Sequence, residues 1–362
     1  MSVHHKNGRS LCLLGCGGFI GSHLVERLLQ TTDYHLIGID ISSAKIQPFL
    51  EHERFEFSCL DVHESGLVSN AIARADTVVS LVALCNPAQY NSIPLKVIDI
   101  DYIRSLQVVQ MCARMDKRLI QFSSCEVYGK TLSSFLPPDS PLRDDPAYYL
   151  LKEDESPLLL GPVNAQRWSY AASKQLLERS VYAYGFEQNL DYTIIRPFNF
   201  IGPRMDYIPG IDGDGTPRVL ACFMDALLNG KPLKLVDGGQ NRRCFTFIDD
   251  AIDAIVRILE RPRECRGQIF NIGNPQNEVS IAQLAGRMIE IYQQITADKG
   301  DIVVEDVSGV DFYGSGYQDS DRRVPDISKA QKLLDWCPQI DLAAALRKTV
   351  DYYVRAYGRE EH

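Results

Sequence analysis

Short apolar runs alternate with amphipathic stretches along most of this chain. Residues 11–14 are wholly apolar and lead into a glycine-rich turn. Residues 22–30 then space Leu24, Val25, Leu28 and Leu29 around one face, which predicts a helix. Further strands are predicted at 35–39, 55–60, 77–84, 118–122 and 192–196, with an amphipathic helix at 103–114 and another from 167 onward. The run 77–84 is almost free of polar side chains, as expected of a central strand covered on both faces. Such alternation specifies an α/β fold, a doubly wound parallel (Rossmann) sheet with ligands at the carboxyl ends of its strands.

Proline and glycine are dense from 197 to 217, where a smaller, discontinuous C-terminal substrate domain is expected to begin. A helix at 245–259 and a strand at 268–273 return to the sheet. Helices at 279–292, 327–336 and 342–356 finish the smaller domain. The resulting division is 1–199 with 245–275 for the dinucleotide, and 200–244 with 276–362 for the substrate. Residues 130–166, rich in Pro, Ser and acids, form too long a connection to be incidental. They read as a substrate-covering lid, with a solvated acidic insert as the other reading.

Composition narrows the classes. The 362 residues carry a net charge of −9, which argues against sequence-independent nucleic-acid binding. No run reaches the roughly 20 apolar residues of a membrane span, and residues 1–10 lack a signal-peptide core. The 10 cysteines lack C-x-x-C spacing, which reads as a reducing cytoplasm. Beyond His63 the next histidine is His362, so neither a zinc site nor a histidine triad is expected downstream, and no metal is expected.

Gly15, Gly18 and Gly21, with Gly17 in addition, sit between a strand and a helix. They permit close approach of a pyrophosphate to the helix N-terminus, beside Phe19 and Ile20. Asp40 ends the next strand, where a carboxylate accepts both ribose hydroxyls of NAD and repels the extra phosphate of NADP. Asp61, closing the third strand, is a candidate adenine contact. Tyr170 and Lys174 are one helical turn apart on one face. A nearby ammonium lowers a phenol's pKa, making Tyr170 a candidate base for a sugar hydroxyl.

Together with Ser124 before Glu126, these motifs resemble the extended short-chain dehydrogenase/reductase family over essentially the whole chain. Residues 123–129, 167–170, 196–204, 238–245 and 316–323 are similar to its UDP-glucuronate decarboxylase branch. The insert 207–213 and residues 217–223 resemble the plant members that form UDP-apiose beside UDP-xylose. The resemblance implies C4 oxidation by NAD, loss of CO2 from the β-keto acid, and retro-aldol/aldol ring contraction before re-reduction. Decarboxylation alone, stopping at UDP-4-ketopentose or UDP-xylose, is the alternative.

Roles follow from the same resemblance. Ser124 orients the reacting hydroxyl, Glu126 assists decarboxylation, and Arg323 lies near the carboxylate. Cysteine at both Cys85 and Cys125 marks the apiose-forming enzymes, whose thiols move protons that Tyr170 cannot reach. The other reading of Cys85 and Cys125 is that of small buried hydrophobes. Asn199 and Arg243 match diphosphate contacts, Arg218 and Lys234 contacts around uracil and ribose, and Tyr317 a sugar or nucleotide contact. Phe200, where Trp is expected, and Ser124, where Thr is usual, depart from the plant pattern. The family also implies a homodimer through helices 103–114 and 170–184. Val108, Met111 and Leu177 on a second face fit either that contact or burial within one chain.

Overall fold

The computed structural model describes residues 9–213, 215–297, 300–314 and 317–358. Residues 1–8, Gly316 and His362, which entered the sequence reading, lie outside them. Among the described residues the central sheet has seven parallel strands: β1 (Ser10–Leu14), β2 (His35–Asp40), β3 (Phe55–Cys59), β4 (Thr77–Ser80), β5 (Arg118–Phe122), β6 (Tyr192–Pro197) and β7 (Gln268–Ile272). Their spatial order is β3-β2-β1-β4-β5-β6-β7. The chain thus begins mid-sheet, winds outward to β3, and crosses back to lay β4 against the other side of β1. Crevices that bind ligands open at such a reversal. Leu14 is level with Ser80, so Gly15 and Leu81 leave the sheet side by side.

Alternate side chains of each strand serve opposite faces. Leu11 and Leu13 join Val79, Ile120, Ile195 and Phe270 beneath the helices Phe19–Thr31 and Ile248–Glu260. Cys12 and Leu14 join Val78, Leu119 and Ile194 beneath Ser105–Arg114 and Ser169–Gln188. Burial on both faces is why these runs read as continuously apolar. Val108, Met111 and Leu177 belong to this second cluster, so they pack against the chain's own sheet and present no face to a second copy.

Several predicted elements end elsewhere. β4 stops at Ser80, because residues 81–86 turn out of the sheet, and this exit carries Cys85 to the cavity described below. The helix read from 245 starts at Ile248, since Thr246–Phe247 is a short strand paired with Phe200–Ile201. The predicted helix 103–114 begins instead as a π-helical turn over Asp99–Arg104.

A smaller sheet runs Glu278–Ser280, Arg242–Cys244, Arg322–Pro325, Leu150–Leu151. Its last strand comes from the segment read as a lid. Arg143 pairs with Asp321 at 2.7 Å, and the backbone N–H of Asn271 donates to Glu153 at 2.8 Å. Held at these points, residues 130–166 line none of the cleft described below.

Candidate active site

The glycine turn is shaped by close backbone approach. Gly15 has φ +90°, and its N–H donates to Ile39 O at 2.8 Å. A Cβ on Gly21 would lie 2.2 Å from Gly15 O, and one on Gly17 2.0 Å from Ser42 O. Gly18 caps the helix Phe19–Thr31 without any side-chain hydrogen bond, leaving the first N–H groups to an anion. Asp40 accepts from Gly17 N–H at 2.9 Å and Ser42 N–H at 3.0 Å. Burial nevertheless raises its pKa, the backbone donors offsetting only part of that. Asp61 is exposed and accepts from His63, whose Nε2 reaches Asp99 at 3.0 Å. These residues fit a dinucleotide.

Tyr170 is buried on the helix Ser169–Gln188, and its hydroxyl is 3.2 Å from Cys85 Sγ. Tyr90 stacks flat on its ring, 4.8 Å between centroids and 2° between planes. Lys174 is not among the largest influences on the phenol. Its Nζ is ion-paired with buried Asp101 at 3.3 Å, without good hydrogen-bond geometry. The Tyr170 pKa stands well above the ordinary value, chiefly through burial, then through Cys85, Tyr90 and Asp101. A fully buried ammonium without a hydrogen bond has spare donors for a ribose hydroxyl, a second feature that fits a dinucleotide.

A cleft of ≈ 1160 Å³, its open mouth included, is lined from Cys85 and Glu126 across to residues 199–245 and 312–323. Glu126, at its inner end, accepts both Arg167 Nη1 at 2.6 Å and Nη2 at 3.1 Å, with Arg323 Nη1 at 3.7 Å. Asp319 accepts from Arg243 at 2.6 Å and Arg323 at 3.1 Å. Burial would raise both carboxyls, but the guanidinium groups outweigh it and hold both below their ordinary values. Three arginines against two carboxylates leave a net positive charge. Nε of Arg167 and of Arg323 are buried with no hydrogen-bond partner among the described residues. Unpaired charged donors out of water favour arrival of an anion.

Cys85, Glu126, Asn199, Arg218, Lys234, Arg243, Tyr317 and Arg323 all line this one cleft. Ser124 and Cys125 do not. Ser124 caps the turn Cys125–Tyr128, accepting from Glu126 N–H at 3.1 Å. Cys125 is buried among Val127, Tyr128, Leu151 and Phe198, and burial raises its pKa against the pull of Arg323. Cys85 is exposed where it lines the cleft, and its thiol is raised by desolvation first, then by Asp101. Sequence reasoning gave no role to Tyr90, Asp101, Asp206 or Asp319. The alternation of acids and arginines over 319–323 was the one local sign of Asp319.

The family described as NAD dependent epimerase/dehydratase matches residues 11–273. UDP-D-apiose/UDP-D-xylose synthase 1 of Arabidopsis thaliana is 48% identical over 358 residues, 96% of this chain and 92% of that one. UDP-D-apiose/UDP-D-xylose synthase of Oryza sativa subsp. japonica is 48% identical over 357 residues, 96% and 90% of the two chains. Among solved structures, the PbgP3 protein from Burkholderia pseudomallei superposes with a TM-score of 0.80 at 33% identity, covering 97% of each chain. UDP-glucuronic acid 4-epimerase from Bacillus cereus, in complex with UDP-glucuronic acid and NAD, gives 0.77 at 24% identity, covering 96% of this chain and 100% of that one. At that identity it shows the shared fold.

Proposed function

The chain belongs to the NAD-dependent epimerase/dehydratase family, and from that premise we propose that it converts UDP-glucuronate to UDP-apiose, with UDP-xylose alongside. The observation that carries this reading is the Cys85 thiol, which lines an arginine-rich cleft and lies 3.2 Å from the Tyr170 hydroxyl. NAD, when bound, supplies the hydride acceptor for C4, a positive charge beside the phenol, and the same hydride for the final reduction.

Tyr170 takes the proton of the C4 hydroxyl; Ser124, which the resemblance gives as orienting that hydroxyl, caps the turn Cys125–Tyr128 instead of lining the cleft. Lys174 holds the ribose, and Asp40 and Asp61 the adenosine end. The new ketone is β to the carboxylate, so loss of CO2 leaves an enolate delocalised into that ketone. Arg323 holds the departing acid, and Glu126 assists decarboxylation and, as a carboxylate, orients the water that returns a proton to the enolate carbon. A guanidinium shared with Glu126 and Asp319 binds a carboxylate less tightly than a free one, which suits a group that must leave. Cys85, protonated at neutral pH by desolvation, gives and takes the proton of the retro-aldol and aldol steps. Asn199 and Arg243 bind the diphosphate, Arg218 and Lys234 the uridine, and Tyr317 the sugar or the nucleotide.

The two halves are assigned as 1–199 with 245–275 and 200–244 with 276–362. A cytoplasmic homodimer is part of the same reading. Among the described residues no helix is long and apolar enough to cross a membrane. Exposed Ile103 and Leu176 on the paired helices support a two-fold contact.

Decarboxylation stopping at UDP-4-ketopentose or UDP-xylose is the second reading, favoured by the burial of Cys125 away from the cleft. NMR of the products from UDP-glucuronate and NAD separates the two. A branched pentose is expected, and its absence from a preparation that releases CO2 would leave only the second.

A further inference from the structure

Arg218 is held by a short strap of chain. Its Nε and Nη2 donate to the two oxygens of Asp206, each at 3.1 Å. Its backbone N–H donates to Asp206 Oδ2 at 3.1 Å, and Nη2 also donates to Met205 O at 3.3 Å. One edge of the guanidinium is therefore occupied, and Nη1 remains for whatever fills the cleft that Arg218 lines. Asp206 is fixed in turn: its N–H donates to the Tyr353 hydroxyl at 3.0 Å, on the helix Leu342–Tyr357.

The same strap grips the helix that carries the dinucleotide turn. His23 on that helix meets Pro203 O through Nε2 and Arg204 Nη2 through Nδ1, each at 2.9 Å. Arg204 also donates to Glu26. Arg204 holds φ +63°, a left-handed backbone that non-glycine residues seldom adopt, so its surroundings enforce this conformation. Burial lowers the pKa of Lys45, on the loop after Asp40, against the opposing charges of Asp206 and Asp212. The helix Phe19–Thr31, Arg218 and Tyr353 thus all bond to the short segment 203–206.

We propose that Asp206 is the positioning residue for Arg218, and that strap 202–206 registers this cation against the dinucleotide-binding helix. The inference rests on reading Arg218 as a UDP contact. Because Asp206 cancels its charge locally, Arg218 presents Nη1 to an uncharged acceptor such as a base carbonyl. The diphosphate is then left to Asn199 and Arg243.

The test uses NAD-loaded protein, UDP titrated by calorimetry, and steady-state turnover of UDP-glucuronate. Asp206→Asn and Arg218→Lys are each expected to weaken UDP and raise KM about tenfold, while kcat stays within about threefold. The double variant should be no weaker than the worse single, because both act through one contact. Asp206→Glu should recover part of the loss. Arg204→Gly, which keeps the left-handed backbone, should weaken UDP severalfold. UDP affinity within twofold of wild type in Asp206→Asn, additive losses in the double, or kcat falling in step with folded protein would each overturn the proposal. Wild-type protein that turns over UDP-glucuronate while uridine and UDP bind Arg218→Lys as tightly as wild type would remove the underlying assignment of Arg218.

Discussion

Cys85 Sγ and the phenolic oxygen of Tyr170 share one contact of 3.2 Å, though the residues are 85 apart in sequence. In the proposed reaction this sets a thiol proton donor against a phenolic base beside the cleft that Cys85 lines. The contact separates two activities. Cys85→Ala is expected to lower branched-sugar formation at least about 100-fold while CO2 release falls less than about tenfold. Tyr170→Phe should reduce both by about 100-fold or more, since oxidation precedes everything else. Product NMR alongside CO2 measurement reads both. Equal losses in Cys85→Ala would remove the division of labour.

Glu126 has a bidentate partner in Arg167, and its carboxyl is held below the ordinary range. Between pH 5 and 8 it therefore contributes no limb to the rate profile. Glu126→Gln keeps the shape but removes the charge. CO2 release should drop about 100-fold, with UDP affinity changed less than about threefold.

Gly21 and Gly286 predict opposite outcomes for one substitution. A Cβ on Gly21 meets Gly15 O at 2.2 Å, whereas one on Gly286 meets nothing within 4 Å. Gly21→Ala should cost at least about 2 kcal/mol and weaken NAD about tenfold. Gly286→Ala, exposed within the helix Ile281–Thr296, should gain about 0.5–1 kcal/mol. Urea unfolding and NAD titration check the pair.

His23 sets an acid-side dependence of stability. Burial lowers its pKa to about 4, against opposing contributions from Pro203 O, Glu26 and Asp249. The unfolded chain takes up this proton near pH 6.5, the folded chain only near pH 4. Between these values the unfolded state binds more protons, so stability falls as pH falls, by at most about 1.4 kcal/mol per pH unit. His23→Gln should flatten that slope by about one proton in urea unfolding from pH 7 to 4. An unchanged slope assigns the dependence to other groups.

The alkaline side has the opposite sign. Burial raises the thiols of Cys12 and Cys112 to about 12 from 9.0. Above pH 9 the unfolded chain loses these protons and the folded chain keeps them, so stability falls as pH rises. Cys112→Ala should reduce the steepness of that fall by up to about 1.4 kcal/mol per pH unit. Unfolding measured from pH 8 to 11 tests this.

Much of the architecture was legible because it follows from local periodicity. β1 with its glycine turn, Asp40 at the end of β2, and the apolar β4 all announce a doubly wound sheet. Where reading went astray, contacts distant in sequence decided the outcome. Thr246–Phe247 would continue a helix by composition, but Phe200–Ile201 offers it a strand partner. Spacing pairs Lys174 with Tyr170, but it cannot show that Asp101 is ion-paired with the same ammonium at 3.3 Å.

By itself the chain's order of residues determined the sheet, the dinucleotide turn and the pair at 170 and 174, since each depends on neighbours within a turn or a strand. Only the tertiary structure decided that Arg167 and Arg323 share Glu126, that Asp319 draws in Arg243, and that Cys85 rather than Cys125 opens on the cleft. Those partnerships join residues tens to hundreds of positions apart. They are fixed by the reversal of strand order at β1 and β4 and by how the smaller sheet seats against it, geometry that no local pattern encodes.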